Sequence, residues 1–206
     1  MEHSRPSPHE SAAPAAERER YRSVMGRFAT GVTIVTGLAP DGPVGMTANA
    51  VCSLSLEPLL VLVCFDNAAR TLPVVRAAGR FAVNVLRADQ HELSGVFASK
   101  MGELEKFADV SHRLEDGVPV IDGVLAWLAC DLRDLYPGGD HTIGVGAVTS
   151  MHHGRAAATD HDHDRATDPA TAATDSDPLV WFGGSYTTVA RDVKWERAPG
   201  EAAPGP

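Results

Sequence analysis

The sequence predicts a mainly β domain, an antiparallel β-barrel with a few short helices, on three observations. Val32-Thr33-Ile34-Val35-Thr36 is β-branched throughout, which suits a pleated, packed surface. Two apolar stretches, Leu59 to Phe65 and the run inside Pro119 to Leu132, read as central strands. Turn signals such as Asp41-Gly42-Pro43 and Pro137-Gly138-Gly139 separate the strand-like runs. Antiparallel strands in this number close on themselves to remove their edges.

The chain has 206 residues, which suits one domain plus tails. Its 44% hydrophobic and 22% charged content is enough to bury a core. The formal net charge of −9 disfavours nucleic acid and anionic membranes as partners, because both are polyanions. A phosphate-bearing ligand must then be held by local donors. The three cysteines, Cys52, Cys64 and Cys130, sit in apolar runs without CxxC spacing. They read as buried thiols in a reducing compartment, with neither a disulfide framework nor a zinc site. Met1 to Ala16 does not resemble a signal peptide, and the apolar runs are too short to span a bilayer. A cytoplasmic protein follows.

Residues 1–16 read as a disordered leader, residues 17–193 as the domain and residues 194–206 as a flexible tail. Glu17 to Phe28 reads as a helix, with Tyr21, Val24, Met25 and Phe28 forming an apolar stripe that should pack on the domain. Gly45 to Leu62 holds small polar residues, Thr47, Asn49, Ser53 and Ser55, among apolar ones. Alternation of this kind is the ordinary wet face of an antiparallel strand. It also suits a flat, polar-edged, phosphorylated ligand, because small side chains admit it to the backbone.

Asp66 to Thr71 reads as a loop before a short helix. Arg70 and Thr71 there form either a phosphate fork at a helix start or a simple cap beside a solvated arginine. Gly79 to Leu86 is the next strand, with Asn84 interrupting it; tying down a neighbouring strand end is one role for a buried Asn. Asp89 to Ala98 reads as a helix capped by Asp89. In Lys106-Phe107 the aromatic either stacks on a ligand ring or packs under a loop. Gly144-Val145-Gly146 is not a dinucleotide fingerprint, since Thr149 stands where the third glycine belongs and no strand–turn–helix context surrounds it. Residues 152–178 are a low-complexity insertion whose alternating His and Asp, without a scaffold, make no selective metal site. The insertion could also dock a partner enzyme. Leu179 to Tyr186 reads as a last strand pair.

These strings resemble the signature of the short-chain flavin reductase family, the NAD(P)H-dependent reductase components of two-component flavin monooxygenases. The family's F-x-T-G-V-T-[IV]-V-T matches Phe28 to Thr36. Its G-M-T-[AV]-[NS]-[AS] and S-[LV]-S-x-x-P match Gly45 to Ala50 and Ser53 to Pro58. N-x-[SA]-x-[ST] matches Asn67, Ala69 and Thr71, and G-x-F-[AV]-V-N-[VI]-L matches Gly79 to Leu86. K-F matches Lys106-Phe107, and G-D-H-x-[IVL] matches Gly139 to Ile143. The likeness covers about residues 20–190. It departs at Trp181, where Leu or Val is usual, and at Gly184 and Ser185, where Arg or His is frequent, so a contact by those charged groups is not implied here.

The resemblance implies an FMN-binding split barrel of antiparallel Greek-key type, usually a homodimer with flavin near the interface. It implies hydride transfer from nicotinamide C4 of NADH or NADPH to N5 of FMN or FAD, the reduced flavin passing to a separate monooxygenase. The implied flavin contacts are Thr30, Gly31, Thr47, Ala48, Asn49, Ala50, Ser53, Leu54, Ser55, Asn84 and Phe107, with Asn67, Ala69, Arg70 and Thr71 at the phosphate. His141 is implied beside the nicotinamide and flavin, as an orienting group or proton donor, since histidine changes charge near neutrality. The rivals are a pyridoxamine-phosphate-oxidase-like flavoenzyme and a flavin-binding electron carrier or sensor without turnover.

Overall fold

The computed structural model describes residues 13–153 and 177–189. Its elements in order are α1 (Ala15–Met25), β1 (Thr30–Gly31), β2 (Thr33–Ala39), β3 (Gly42–Ala48), β4 (Val51–Leu56), β5 (Leu59–Asp66), α2 (Thr71–Ala78) and β6 (Arg80–Val85). There follow α3 (His91–Ala98), α4 (Glu103–Phe107), β7 (His112–Glu115), β8 (Val118–Ile121), β9 (Ala126–Gly138), β10 (His141–His153), β11 (Val180–Phe182) and β12 (Ser185–Thr187).

The main sheet has seven strands in the order β3-β2-β6-β9-β10-β5-β4, each pairing antiparallel. Its two edge strands, β3 and β4, are consecutive in the chain, joined only by Asn49 and Ala50. So short a link forces the sheet to curl until its edges meet. The barrel is therefore closed along one seam by covalent chain rather than by a hydrogen-bonded ladder.

The barrel buries residues on both faces of β2 and β6. Val35, Val63, Phe65, Phe81 and Val83 fill one cluster together with Leu72 and Val75 of α2. Ile34, Ala82, Phe97, Phe107 and Trp127 belong to a second, with Val118, Val120 and Ile121 of β8. Burial on both faces explains why these strands read as near-continuous apolar runs rather than as alternation. Gly144 and Gly146 serve this packing. A Cβ on Gly144 would meet the Phe65 ring at 2.7 Å, and one on Gly146 the Phe81 ring at 2.5 Å. The two rings meet edge to face, their centroids 5.8 Å apart.

Several expectations are corrected. The helix α1 begins two residues early and ends at Met25, and none of its residues is buried. Tyr21, Val24, Met25 and Phe28 are exposed, Phe28 by 69%, so the apolar stripe does not pack on this chain's core. Thr71 is not a cap but the first residue of α2, which begins without any side-chain cap bond. Asp89 does not cap α3; both its oxygens accept from Arg87. The single strand predicted over Pro119 to Leu132 is two, β8 and β9, and β8 pairs with the unforeseen β7 through the turn at Asp116-Gly117. Cys52 is exposed and Cys64 half-buried, leaving Cys130 as the one fully buried thiol; burial, with Asp131 adding, pushes it up to about 12. Residues 151–153 continue β10 instead of opening the insertion. Most of the leader, the insertion from 154 to 176 and the tail from 194 lie outside the described residues.

Replacing Gly146 with Ala should destabilise the fold by about 1–3 kcal/mol through overpacking against Phe81 and the Cys130 Cβ. Urea unfolding measures it; an unchanged midpoint would mean the ring is not held there.

Candidate functional site at the barrel seam

Three cavities flank the seam. The first, about 470 Å3, lies between Gly45 to Thr47 of β3, the loop from Asp66 to Thr71, and the segment from Phe97 to Lys106. The second, about 710 Å3, lies between Asn49 to Cys52, Cys64, Trp181 and the exposed side chains Tyr21, Met25 and Phe28. The third, about 400 Å3, is bordered by Gly31, Asn49, Ser53, Ser55 and Met151, among others.

The first cavity is organised by one carboxylate. Gly45 N–H donates to Glu103 Oε2 at 2.9 Å, while Glu103 Oε1 meets Arg70 Nε at 3.2 Å and Lys106 Nζ at 3.3 Å. The Lys106 side chain is only 5% exposed, and its ammonium also donates to the carbonyls of Gly45 (3.2 Å) and Phe97 (3.4 Å). The Arg70 guanidinium donates to the carbonyls of Lys100 (3.2 Å) and Met101. Strand β3, the loop before α2 and the α3–α4 connection are thereby clamped around one concave space. Thr47 Oγ1 donates to the Ser94 carbonyl at 2.6 Å, and Ser94 Oγ pairs with Tyr186 Oη at 3.0 Å, so β12 is tied to the same wall.

The implied residues divide clearly. Thr47, Ala69, Arg70 and Thr71 line the first cavity. Thr30 and Ala50 line the second, Gly31, Ser53 and Ser55 the third, and Asn49 both. Ala48 is buried, its carbonyl accepting from Thr33 Oγ1 at 2.7 Å. Leu54 falls at a bulge in the β4–β5 register and is exposed beside no cavity. Asn67 turns to the β9–β10 hairpin: its amide donates to the Gly139 carbonyl at 3.2 Å, and its oxygen accepts from Thr142 Oγ1 at 2.6 Å. Arg70 is not a free fork, since Nε and Nη2 are engaged by Glu103 and the Lys100 and Met101 carbonyls and only Nη1 is left for a ligand.

Two residues leave the site altogether. Asn84 is fully buried, donating to the Ile34 carbonyl (3.0 Å) and Thr36 Oγ1 (3.2 Å) and accepting from Ile121 N–H (2.9 Å). It ties strands together and touches no cavity. Phe107 is in a helix rather than a loop and packs edge to face on Phe97, centroids 4.9 Å apart. His141 opens β10 opposite Asp66, with its side chain partly exposed and lining none of the three cavities. Its Nδ1 lies 2.7 Å from Asp140 Oδ1, and that hydrogen bond holds the Asp140 carboxyl below the usual carboxylate range. With Asp140 ionised, Nδ1 carries the proton and Nε2 remains for other work.

Glu103 and Lys100 were not singled out from the sequence. Glu103 stands three residues before Lys106, the spacing of a helical ion pair, and that signal was available. Among the described residues no group of three or more His, Cys, Asp or Glu side chains is placed to hold a metal. No helix there is long and apolar enough to cross a membrane.

A flavin fits this donor set. The first cavity offers cations and hydroxyls suited to a phosphate, and the adjoining seam offers uncharged groups suited to a flat ring. Among the described residues Thr30 Oγ1 is buried without a partner at the edge of the second cavity, a polar atom that a ring heteroatom would satisfy.

Comparison with known proteins agrees. The model of the flavin reductase like domain family matches residues 25–190, and the chain belongs to that family. It is 36% identical over 170 residues to the flavin-dependent monooxygenase reductase subunit HsaB of Mycobacterium tuberculosis, covering 82% of this chain and 81% of that one. It is 37% identical over 180 residues to the FMN reductase (NADH) SmoA of Agrobacterium fabrum, covering 86% and 90%. The structure of the Streptomyces globisporus NADH:FAD oxidoreductase SgcE6 in complex with NAD and FAD fragments superposes with a TM-score of 0.71 at 33% identity, covering 89% of this chain and 99% of that chain.

Removing the Glu103 carboxylate with Glu103→Ala strands Lys106 as a buried charge and should cost about 3–5 kcal/mol. Chemical denaturation checks this; a loss within about 0.5 kcal/mol, the range of an ordinary surface change, would show that the clamp carries no weight.

Proposed function

We propose that this protein is an NADH-dependent flavin reductase that supplies reduced FMN or FAD to a separate monooxygenase. The observation carrying this reading is the seam cavity, with a cationic end and an uncharged wall, in a chain of the flavin reductase like domain family. The bound flavin supplies the redox chemistry, its N5 accepting hydride from nicotinamide C4. The chain binds, orients and shields. Thr47, Asn49, Ser53 and Ser55, with the backbone of Ala48 and Ala50, would hold the ring by uncharged donors and acceptors. Thr71 and the N–H groups at the start of α2 would meet the phosphate end. His141, oriented by Asp140, would face the nicotinamide through Nε2. In this division of labour, stacking two rings at near-attack distance is the protein's main task.

The proposal extends to assembly and compartment. The exposed apolar side chains of Tyr21, Val24, Met25 and Phe28, beside a large apolar cavity, support a homodimer in which a second copy covers them. The acidic net charge and cysteines without disulfide partners support a cytoplasmic protein whose domain runs from about residue 17 to 193.

Purified protein should oxidise NADH only when FMN or FAD is added, with NADPH much the poorer donor. His141→Asn should lower kcat by about 10²-fold while leaving the flavin dissociation constant unchanged. Absence of NADH oxidation with FMN, FAD and riboflavin in turn would refute the activity.

A further inference from the structure

Three cations border the first cavity: Arg70, Lys100 and Lys106. Two are already held in place by protein acceptors. Arg70 is held by Nε on Glu103 and by Nη2 on the carbonyls of Lys100 and Met101, which leaves Nη1 facing the same cavity. Lys106 is buried and spends its ammonium on Glu103, Gly45 and Phe97. Two carboxylates, Glu103 and Asp66, share the same wall, and Asp66 Oδ1 accepts from Ala68 N–H at 2.8 Å. Lys100 differs. Its side chain is exposed at the rim, and among the described residues its ammonium has neither ion pair nor hydrogen bond.

The backbone of Lys100 is nonetheless fixed. Its carbonyl accepts from Arg70 Nη2, which Glu103 holds in turn. Next to it, Ser99 Oγ donates to the Val96 carbonyl at 2.6 Å and accepts from Met101 N–H at 3.2 Å. An uncommitted charge on an anchored main chain is what a charge-reading contact needs, since little backbone entropy remains to be lost on binding. A chain of net charge −9 also repels a phosphate dianion at long range, so a local cation must offset that field.

Building on the flavin reading above, we infer that Lys100 is the specificity-determining residue for phosphorylated flavins. Its ammonium pairs with the phosphate of FMN, or with the diphosphate of FAD, and contributes nothing to riboflavin. Arg70 acts one step back, as the positioning residue that holds Lys100 at the rim.

The test is titration of the full chain with FMN and with riboflavin, followed by quenching of flavin fluorescence, without nicotinamide. Lys100→Ala should weaken FMN about tenfold, the scale of one near-surface charge pair, and riboflavin by less than about twofold. Lys100→Arg should restore most of the FMN affinity. Added salt should weaken FMN more in the wild type than in Lys100→Ala. Equal losses for both flavins, or no loss for FMN, would overturn the inference while leaving the flavin reading standing. A wild-type protein that binds neither flavin would overturn the flavin reading itself.

Discussion

A single carboxylate, that of Glu103, holds together the part of this molecule that matters most. It accepts from the backbone of β3 and from two cations that arrive from different segments, Arg70 before α2 and Lys106 in α4. A nearly buried ion pair adds little net stability over an apolar pair, because desolvation offsets the attraction. Its consequence is geometric. Lys106 is held among Glu103 and the carbonyls of Gly45 and Phe97, and Glu103 is held against Gly45 and Arg70. The wall of the first cavity is therefore fixed in one arrangement.

The seam supplies the second constraint. Because β3 and β4 are both edges and both ends of one short link, the chain from Thr47 to Ser55 runs where the ladder is interrupted. Each of these edge strands is paired on one side only, which elsewhere would be a liability. A flat ligand bordering this seam meets those unpaired sides without competing with the sheet. The glycines of β10 act on the opposite side of the same design. They admit Phe65 and Phe81 into the interior, so that the barrel is filled and the ligand must lie outside it.

Much of the fold was legible in the sequence. The strand at Val32 to Thr36 announces itself because burial on both faces leaves a continuous apolar signal, and that at Leu59 to Phe65 because its second, half-buried face is apolar as well. The last strand pair, expected over Leu179 to Tyr186, is the β11–β12 hairpin. The site was legible only in part. Periodicity marks an apolar stripe on α1 but does not say what covers it, and this chain's own core does not. Asn84 and Phe107 sit in motif strings, yet a motif does not distinguish a side chain that contacts a ligand from one that supports the contact. Asn84 closes hydrogen bonds to three neighbouring groups, and Phe107 packs on Phe97. The β7–β8 hairpin carried a signal that was passed over. Asp116 and Gly117 both have positive φ, 47° and 78°, as an Asp-Gly hairpin turn requires. For Glu103 the sequence offered only the i,i+3 spacing to Lys106; its partners at 45 and 70 are far away in sequence and emerged in three dimensions.

The central claim is that β3, the 66–71 loop and the α3–α4 connection form one flavin-holding surface. Backbone hydrogen–deuterium exchange with and without saturating FMN tests it most directly. Slowed exchange in residues 45–55, 66–72 and 97–103 is the predicted result. Unchanged exchange there, or protection centred on the β7–β8 hairpin instead, would contradict it.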